Sequence, residues 1–190
     1  MDTDSWAEID SAVEYKTGWY TGGYDKVRQP DGSTKKYYWA SLPPAVVIVA
    51  VTPENEVVFV EQYRPTIKEQ QDELPAGIVD EHSGASDDQV RKQDYIAAAK
   101  RELREETGYI PGKTELIQDY AVATGVLRHR RGIVFADQLE SGTPERDTNE
   151  FLSVKTGPAE KAVDVAREPP TNDATINGLL LAKEEGLLSR

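Results

Sequence analysis

The sequence predicts a mixed α/β fold in which a sheet lies between helices, preceded by a small antiparallel β element. Three features lead there. Apolar runs at 45–51 and 56–64 read as adjacent strands. One helical stretch at 95–107 carries a narrow apolar stripe. Further strand-like runs then give way to two closing helices. A length of 190 residues suits one core-bearing domain with a small appended element.

Taken in order, the first dozen residues read as loosely ordered. From 17 to 42 the chain is rich in Tyr, Trp, Lys and turn formers, and "PDGS" separates strand-like runs at 24–29 and 35–40. "AVVIVAV" (45–51) is apolar at both parities, so it reads as a strand covered on both faces. "TPEN" turns the chain, 56–64 is the return strand, and Pro65 ends its pairing. "DELPAGIVDE" contains a Pro-Ala-Gly kink, and the polar stretch 82–94 reads as an exposed loop. Asp94 is the expected N-cap of the helix at 95–107, and Gly108 the residue that ends it. "ELIQDYAVA" and "GIVFADQL" read as strands, "ESGTPERDTN" as an acidic loop, and "EFLSVK" as another strand. Helices at 159–167 and 173–188 complete the chain. The expected division is an N-terminal β element at 1–42 and a main domain at 43–190.

Composition narrows the function. The chain has 22 basic and 34 acidic residues, a net charge of −12, which disfavours nucleic acid and anionic membranes as partners. An anionic substrate would need cations or local basic groups to reach it. There is no cysteine, which excludes disulfides, thiolate metal sites and cysteine nucleophiles. Two histidines cannot build a three-histidine metal site. The N-terminus shows no apolar signal segment and no run is long enough to span a bilayer, so a cytoplasmic location is expected.

The helix at 95–107 concentrates the chemistry. At 100° per residue, Ile96, Ala99 and Leu103 fall within about 60° and form the core stripe. Glu102 and Glu106 stand beside that stripe about 40° apart, with Glu105 about 60° beyond Glu102. Like charges at this spacing repel, and the helix C-terminus disfavours anions. Arg101 can pair with Glu105 and relieve one of them. A hard divalent cation such as Mg²⁺ or Mn²⁺ would relieve the others. The competing reading is a solvated charged face. Upstream, "ELPAG" can bend the backbone so that a carbonyl faces the helix.

"GIVDE…AAAKRELREETGY" resembles the signature of the Nudix hydrolases, R-E-(apolar)-x-E-E-x-G-(apolar). Arg101, Glu102, Leu103, Glu105, Glu106, Gly108 and Tyr109 fill its core positions. The spacing from Gly77 to Arg101 is longer than in the signature, so a stretch is inserted near 82–94; the family's early glutamate falls on Gln93 or on Glu81. "VVFVEQYRP", "DELPAG" and "NEFLSV" resemble the ADP-ribose pyrophosphatase branch, and the likeness runs over roughly 17–188.

This resemblance implies an α/β/α sandwich with a mixed sheet, plus an N-terminal β element often exchanged between two subunits, hence a homodimer. It implies Mg²⁺- or Mn²⁺-dependent hydrolysis of a nucleoside diphosphate linked to another moiety, with ADP-ribose giving AMP and ribose 5-phosphate. It places Glu102 and Glu106 as principal metal ligands, with Glu105 as a further ligand or orienter and the Ala76 carbonyl as a ligand. Arg101 more plausibly fixes the glutamates than touches substrate. A base or extra ligand is expected from the acidic loop, Glu150 first, with Glu145 and Asp147 as rivals. Arg64 is expected at a phosphate, and Glu73, in the approach to the signature, is placed with the substrate-binding residues. Arg128, in the basic cluster "LRHRRG", serves phosphate steering or an intersubunit salt bridge. Trp19 and Tyr20 stack on an adenine or pack in a core or interface. ADP-ribose enzymes commonly carry "SPG" where this chain reads "ATG", with Thr124 in the proline's place. Another nucleoside diphosphate sugar such as GDP-mannose, or a non-catalytic nucleotide-sugar binding module, therefore stays open.

Overall fold

The computed structural model describes residues 5–79, 90–145 and 151–188. The chain forms two compact units, Met1–Pro44 with Tyr120–Arg131, and Ala45–Asp119 with Gly132–Arg190. No helix among the described residues is long and apolar enough to cross a membrane.

The first unit is a four-stranded sheet in the order β1-β2-β3-β9, made of β1 (Ala7–Lys16), β2 (Thr21–Arg28), β3 (Thr34–Ser41) and β9 (Leu127–Arg128). β1 corrects the expectation of a loose N-terminus. It pairs antiparallel with β2 from Ala7↔Arg28 to Lys16↔Thr21, with two register irregularities. Nearly all of its residues are exposed, yet Ala7, Ile9, Val13 and Tyr15 alternate with Glu8, Asp10, Glu14 and Lys16, a period-2 strand signal that the reading of a loose N-terminus passed over. The β1–β2 turn is set by Thr17, whose hydroxyl oxygen accepts from the N–H groups of Trp19 and Tyr20, each at 3.0 Å.

In the second unit, β4 (Ala45–Ala50) is buried on both faces, as its composition predicts. It lies within the sheet β7-β4-β10-β8, where β7 is Ala76–Ile78, β8 Tyr109–Ala121 and β10 Arg130–Ser141. Strand alternation then decides what covers each face. Val46, Ile48 and Ala50 join a buried cluster with Tyr95, Ala99 and Leu103 of α1 (Lys92–Thr107). On the other face, a methyl group added at Gly178 of α3 (Asp173–Glu184) would touch Val47, Val49 and Leu74. Helices therefore cover both faces of the sheet, the expected α/β/α sandwich. A second sheet, β11-β5-β6, joins β11 (Leu152–Pro158), β5 (Glu56–Arg64) and β6 (Glu69–Glu73). The polar "EQQDE" of β6 gave no strand signal, and β7 was hidden inside the expected kink. The stretch 159–167 divides into a 3₁₀ turn (Ala159–Lys161) and α2 (Ala162–Arg167).

The α1 helix starts earlier than its apolar stripe. Its N-cap is Arg91, not Asp94. Asp94 sits one turn inside, and its carboxylate accepts the Arg91 N–H at 2.9 Å and the Arg91 guanidinium at 3.0 and 3.1 Å. Cap and stripe were one turn apart, so the stripe alone placed the boundary too late. The other end agrees: Gly108 is left-handed, at φ 81°, and its N–H reaches the Arg104 carbonyl at 2.8 Å. A side chain there would be strained and would also strike Pro144.

Candidate active site

The buried face of α1 is Tyr95, Ala98, Ala99, Glu102, Leu103, Glu106 and Thr107, rotated from the expected stripe so that Ile96 is only half-buried and Glu102 and Glu106 lie within the face, at 8% and 6% exposure. Burying carboxylates is costly unless they are paired and hydrogen-bonded. Glu106 Oε2 accepts the Ala76 N–H at 3.2 Å. Glu102 Oε1 pairs with the Arg101 guanidinium at 2.7 Å. The Glu102 carboxylate lies hard against Gly77: an added Cβ there would stand 1.9 Å from its carboxyl carbon. That glycine is needed for close approach, and this is the physical content of the Pro-Ala-Gly bend. The bend is braced by β4, since Ile48 N–H donates to the Pro75 carbonyl at 2.9 Å.

Arg101 ties the cluster together. It gives one nitrogen to Glu105 at 2.8 Å and the other to the Ile78 carbonyl at 2.9 Å. Together with the Glu102 pair, these bonds set one guanidinium against both Glu102 and Glu105. Glu105 is thereby drawn toward Arg101, and among the described residues no three acidic or histidine side chains converge as a ready metal cluster. The donor set nonetheless suits a hard divalent ion: three carboxylates on one flank, a backbone bend beside them, and a glycine cradle that leaves room for oxygen atoms.

Arg64 and Glu73 meet in the same unit. Arg64 Nε donates to both Glu73 oxygens at 3.0 and 3.1 Å, and its Nη2 also bonds Oε2. The Glu73 hydrogen bond raises the Arg64 pKa above its ordinary value; burial opposes this, and the charges of Glu73 and Glu106 add to it.

Past β10, the segment that opens the acidic loop is laced to the end of α1. Gly142 N–H donates to the Gly108 carbonyl at 2.9 Å, and Glu145 N–H to the Glu105 carbonyl at 3.1 Å. The Glu145 side chain is paired with Arg104. Glu150 and Asp147 lie outside the described residues. A cavity of about 430 Å³ on this flank is lined by Lys100, Arg101, Arg104, Glu105, Ile110 and Glu145, among others.

The remaining candidates belong to the first unit. Trp19, at 75% exposure, and Tyr20 form the β1–β2 turn, with Tyr20 edge-on to Tyr15 at 5.7 Å. Arg128 is stacked over Trp39 at 4.0 Å and paired with Asp25. Asp25 also accepts from Trp39 Nε1 at 2.9 Å and Ser11 at 3.0 Å. His129 Nδ1 meets the Pro43 carbonyl at 2.9 Å. Sequence reasoning missed Gln62, which donates to Glu73 at 3.1 Å, along with the Ile78 carbonyl and Arg104. Only Gln62 had a usable signal, since it shares a strand parity with Arg64.

An α/β/α sandwich with buried glutamates held against a Pro-Ala-Gly bend defines a class, and the family comparison agrees: residues 41–177 match the NUDIX domain, so the chain belongs to the Nudix family. Within it, the chain is similar to ADP-ribose pyrophosphatases. It is 28% identical to that of Bacillus subtilis (strain 168), covering 79% of this chain and 77% of the relative. It is 31% identical to that of Mycobacterium tuberculosis (strain ATCC 25618 / H37Rv), covering 82% and 72%. A methanol dehydrogenase activator of Bacillus methanolicus is 36% identical over 60% of this chain, which spans about half (52%) of that relative's length. A crystal structure of an ADP compounds hydrolase shares the fold, with a TM-score of 0.79 over 96% of each chain at 20% identity.

Proposed function

We propose that this chain is a Nudix pyrophosphohydrolase that cleaves the diphosphate bond of a nucleoside diphosphate linked to another moiety, with ADP-ribose, giving AMP and ribose 5-phosphate, as the first substrate to test. The observation that carries this reading is the pair Glu102 and Glu106, buried on the core-facing side of α1 against Ala76 and Gly77. A solvated charged face has no reason to bury two carboxylates one turn apart. Glu102, Glu106, Glu105 and the Ala76 carbonyl would hold Mg²⁺ or Mn²⁺. Bound there, the ion neutralises diphosphate charge and lowers the pKa of the attacking water. Arg64 supplies a fixed cation for a phosphate oxygen. In this reading Arg101 keeps Glu102 and Glu105 apart and oriented. Glu150 is the preferred base; Glu145 is the weaker rival because its side chain is engaged with Arg104.

The same reading takes a second copy of the chain as partner in the cytoplasm. The first unit exposes Trp6, Ile9, Val13, Tyr15 and Tyr38, more apolar surface than an isolated small sheet carries comfortably. Sedimentation at micromolar concentration should find a dimer.

The deciding experiment is a panel of nucleoside diphosphate derivatives, including ADP-ribose and GDP-mannose, assayed with Mg²⁺ and with Mn²⁺. Steady AMP release from ADP-ribose, abolished by a chelator and restored by either ion, is the expected result. Stoichiometric binding without turnover across the panel would replace the enzyme with a nucleotide-sugar binding module.

A further inference from the structure

We infer that Glu73 is a positioning residue for Arg64 and does not itself meet the substrate; this rests on the reading of Arg64 as the phosphate-binding cation. The strand register creates the arrangement. β5 and β6 pair antiparallel with Val60 opposite Glu73, which puts Glu73 on the sheet face shared by Gln62 and Arg64. Arg64 folds back along that face and closes a fork on the carboxylate through Nε and Nη2, while Gln62 Nε2 donates to Oε2 at 3.1 Å. Four donor contacts therefore converge on the Glu73 oxygens. At 7% exposure Glu73 has little left to offer a ligand, and its charge facing a diphosphate would be repulsive.

The guanidinium is placed differently. The Arg64 side chain is 42% exposed, and among the described residues its Nη1 makes no hydrogen bond. Glu73 thus consumes one edge of the fork and leaves the other for an incoming oxygen. It also removes most of the rotamer freedom that an arginine would otherwise lose on binding, which is the usual gain from preorganisation. Glu73 is itself held from behind, because the next residue, Leu74, donates its N–H to the buried Thr175 hydroxyl of α3 at 3.2 Å.

The test compares kcat and KM for Mg²⁺-dependent hydrolysis of ADP-ribose, or of the best substrate in the panel, in wild type, Glu73→Gln, Glu73→Ala, Arg64→Ala and the Arg64→Ala/Glu73→Ala double variant. Melting temperatures are recorded alongside. The expected result is that Glu73→Ala and Arg64→Ala each raise KM by about tenfold with a smaller change in kcat. The double variant should be no worse than Arg64→Ala alone, and Glu73→Gln, which keeps an acceptor oxygen, should recover part of the loss. Should Glu73→Ala fail to fold, Glu73→Gln and an added Arg64→Ala/Glu73→Gln double variant read the same quantity through a KM shift that disappears in the Arg64→Ala background. Losses that add in the double variant, an unchanged KM in folded Glu73 variants, or an unchanged KM in Arg64→Ala would each overturn the inference. A wild type that cleaves no member of the panel with either ion would instead defeat the hydrolase reading, and this inference with it.

Discussion

Glu106 and Gly77 show how single residues set the chemistry. Glu106 is anchored by a backbone N–H, so replacing it with glutamine keeps its shape and an acceptor oxygen while removing a charge. Glu106→Gln should lower turnover by at least ~10²-fold with the melting temperature little changed, since the lost charge is one that would steady the ion at the transition state. Near-normal turnover in a folded variant would remove Glu106 from the site. Gly77→Ala tests the cradle. The new methyl would overlap the Glu102 carboxylate, so that carboxylate must swing away. The Mg²⁺ concentration giving half-maximal activity should rise severalfold in a variant that still folds. An unchanged Mg²⁺ dependence would mean that the tight approach is packing alone.

Strands and helices were legible to the extent that burial imposes a period. β4 and α1 could be read because each presents apolar residues to the core at its own repeat. β5 matched its expected bounds for the same reason. β6 is held largely by ladder bonds and its polar side chains carry no such mark, whereas β1 does alternate Ile9, Val13 and Tyr15 with polar residues, a period present in the sequence although the strand is exposed. The Arg64–Glu73 fork was invisible too: both residues could be named, but their meeting depends on a register that only a located β6 provides. In the β1-β2-β3-β9 sheet, Asp25 offers a pH test. Burial alone would push its carboxyl up, but hydrogen bonds from Trp39, Ser11 and Arg128, together with the Arg128 charge, outweigh this and hold its pKa below the ordinary value. A depressed folded-state pKa contributes stability that is present above the unfolded value of about 3.9 and is lost as pH falls through the folded one. The wild-type melting temperature should therefore drop between pH 5 and pH 3 more than that of Asp25→Asn. Parallel curves for the two proteins would show that this carboxylate contributes nothing to acid sensitivity.

For the whole molecule, the dominant fact is a net charge of −12 on 190 residues. Self-repulsion on that scale weakens the compact state and is screened by salt, with a Debye length falling from about 30 Å at 0.01 M to about 8 Å at 0.15 M. In the presence of a chelator, raising NaCl across that range should raise the melting temperature by several degrees; a flat or falling curve would mean that local ion pairs such as Arg64–Glu73 dominate instead. The same excess charge makes the few fixed cations near α1 more consequential than their number suggests for any anionic ligand, because they act against an unfavourable background.

The Leu74–Thr175 bond joins residues 101 apart in the chain. Its consequence is temporal. A ribosome emits the glutamates and the bend long before it emits the segment that moors them, so a nascent polypeptide halted near residue 170 holds every Nudix signature residue yet lacks the brace behind Glu73. Competence should come late in synthesis, arriving with the final helix.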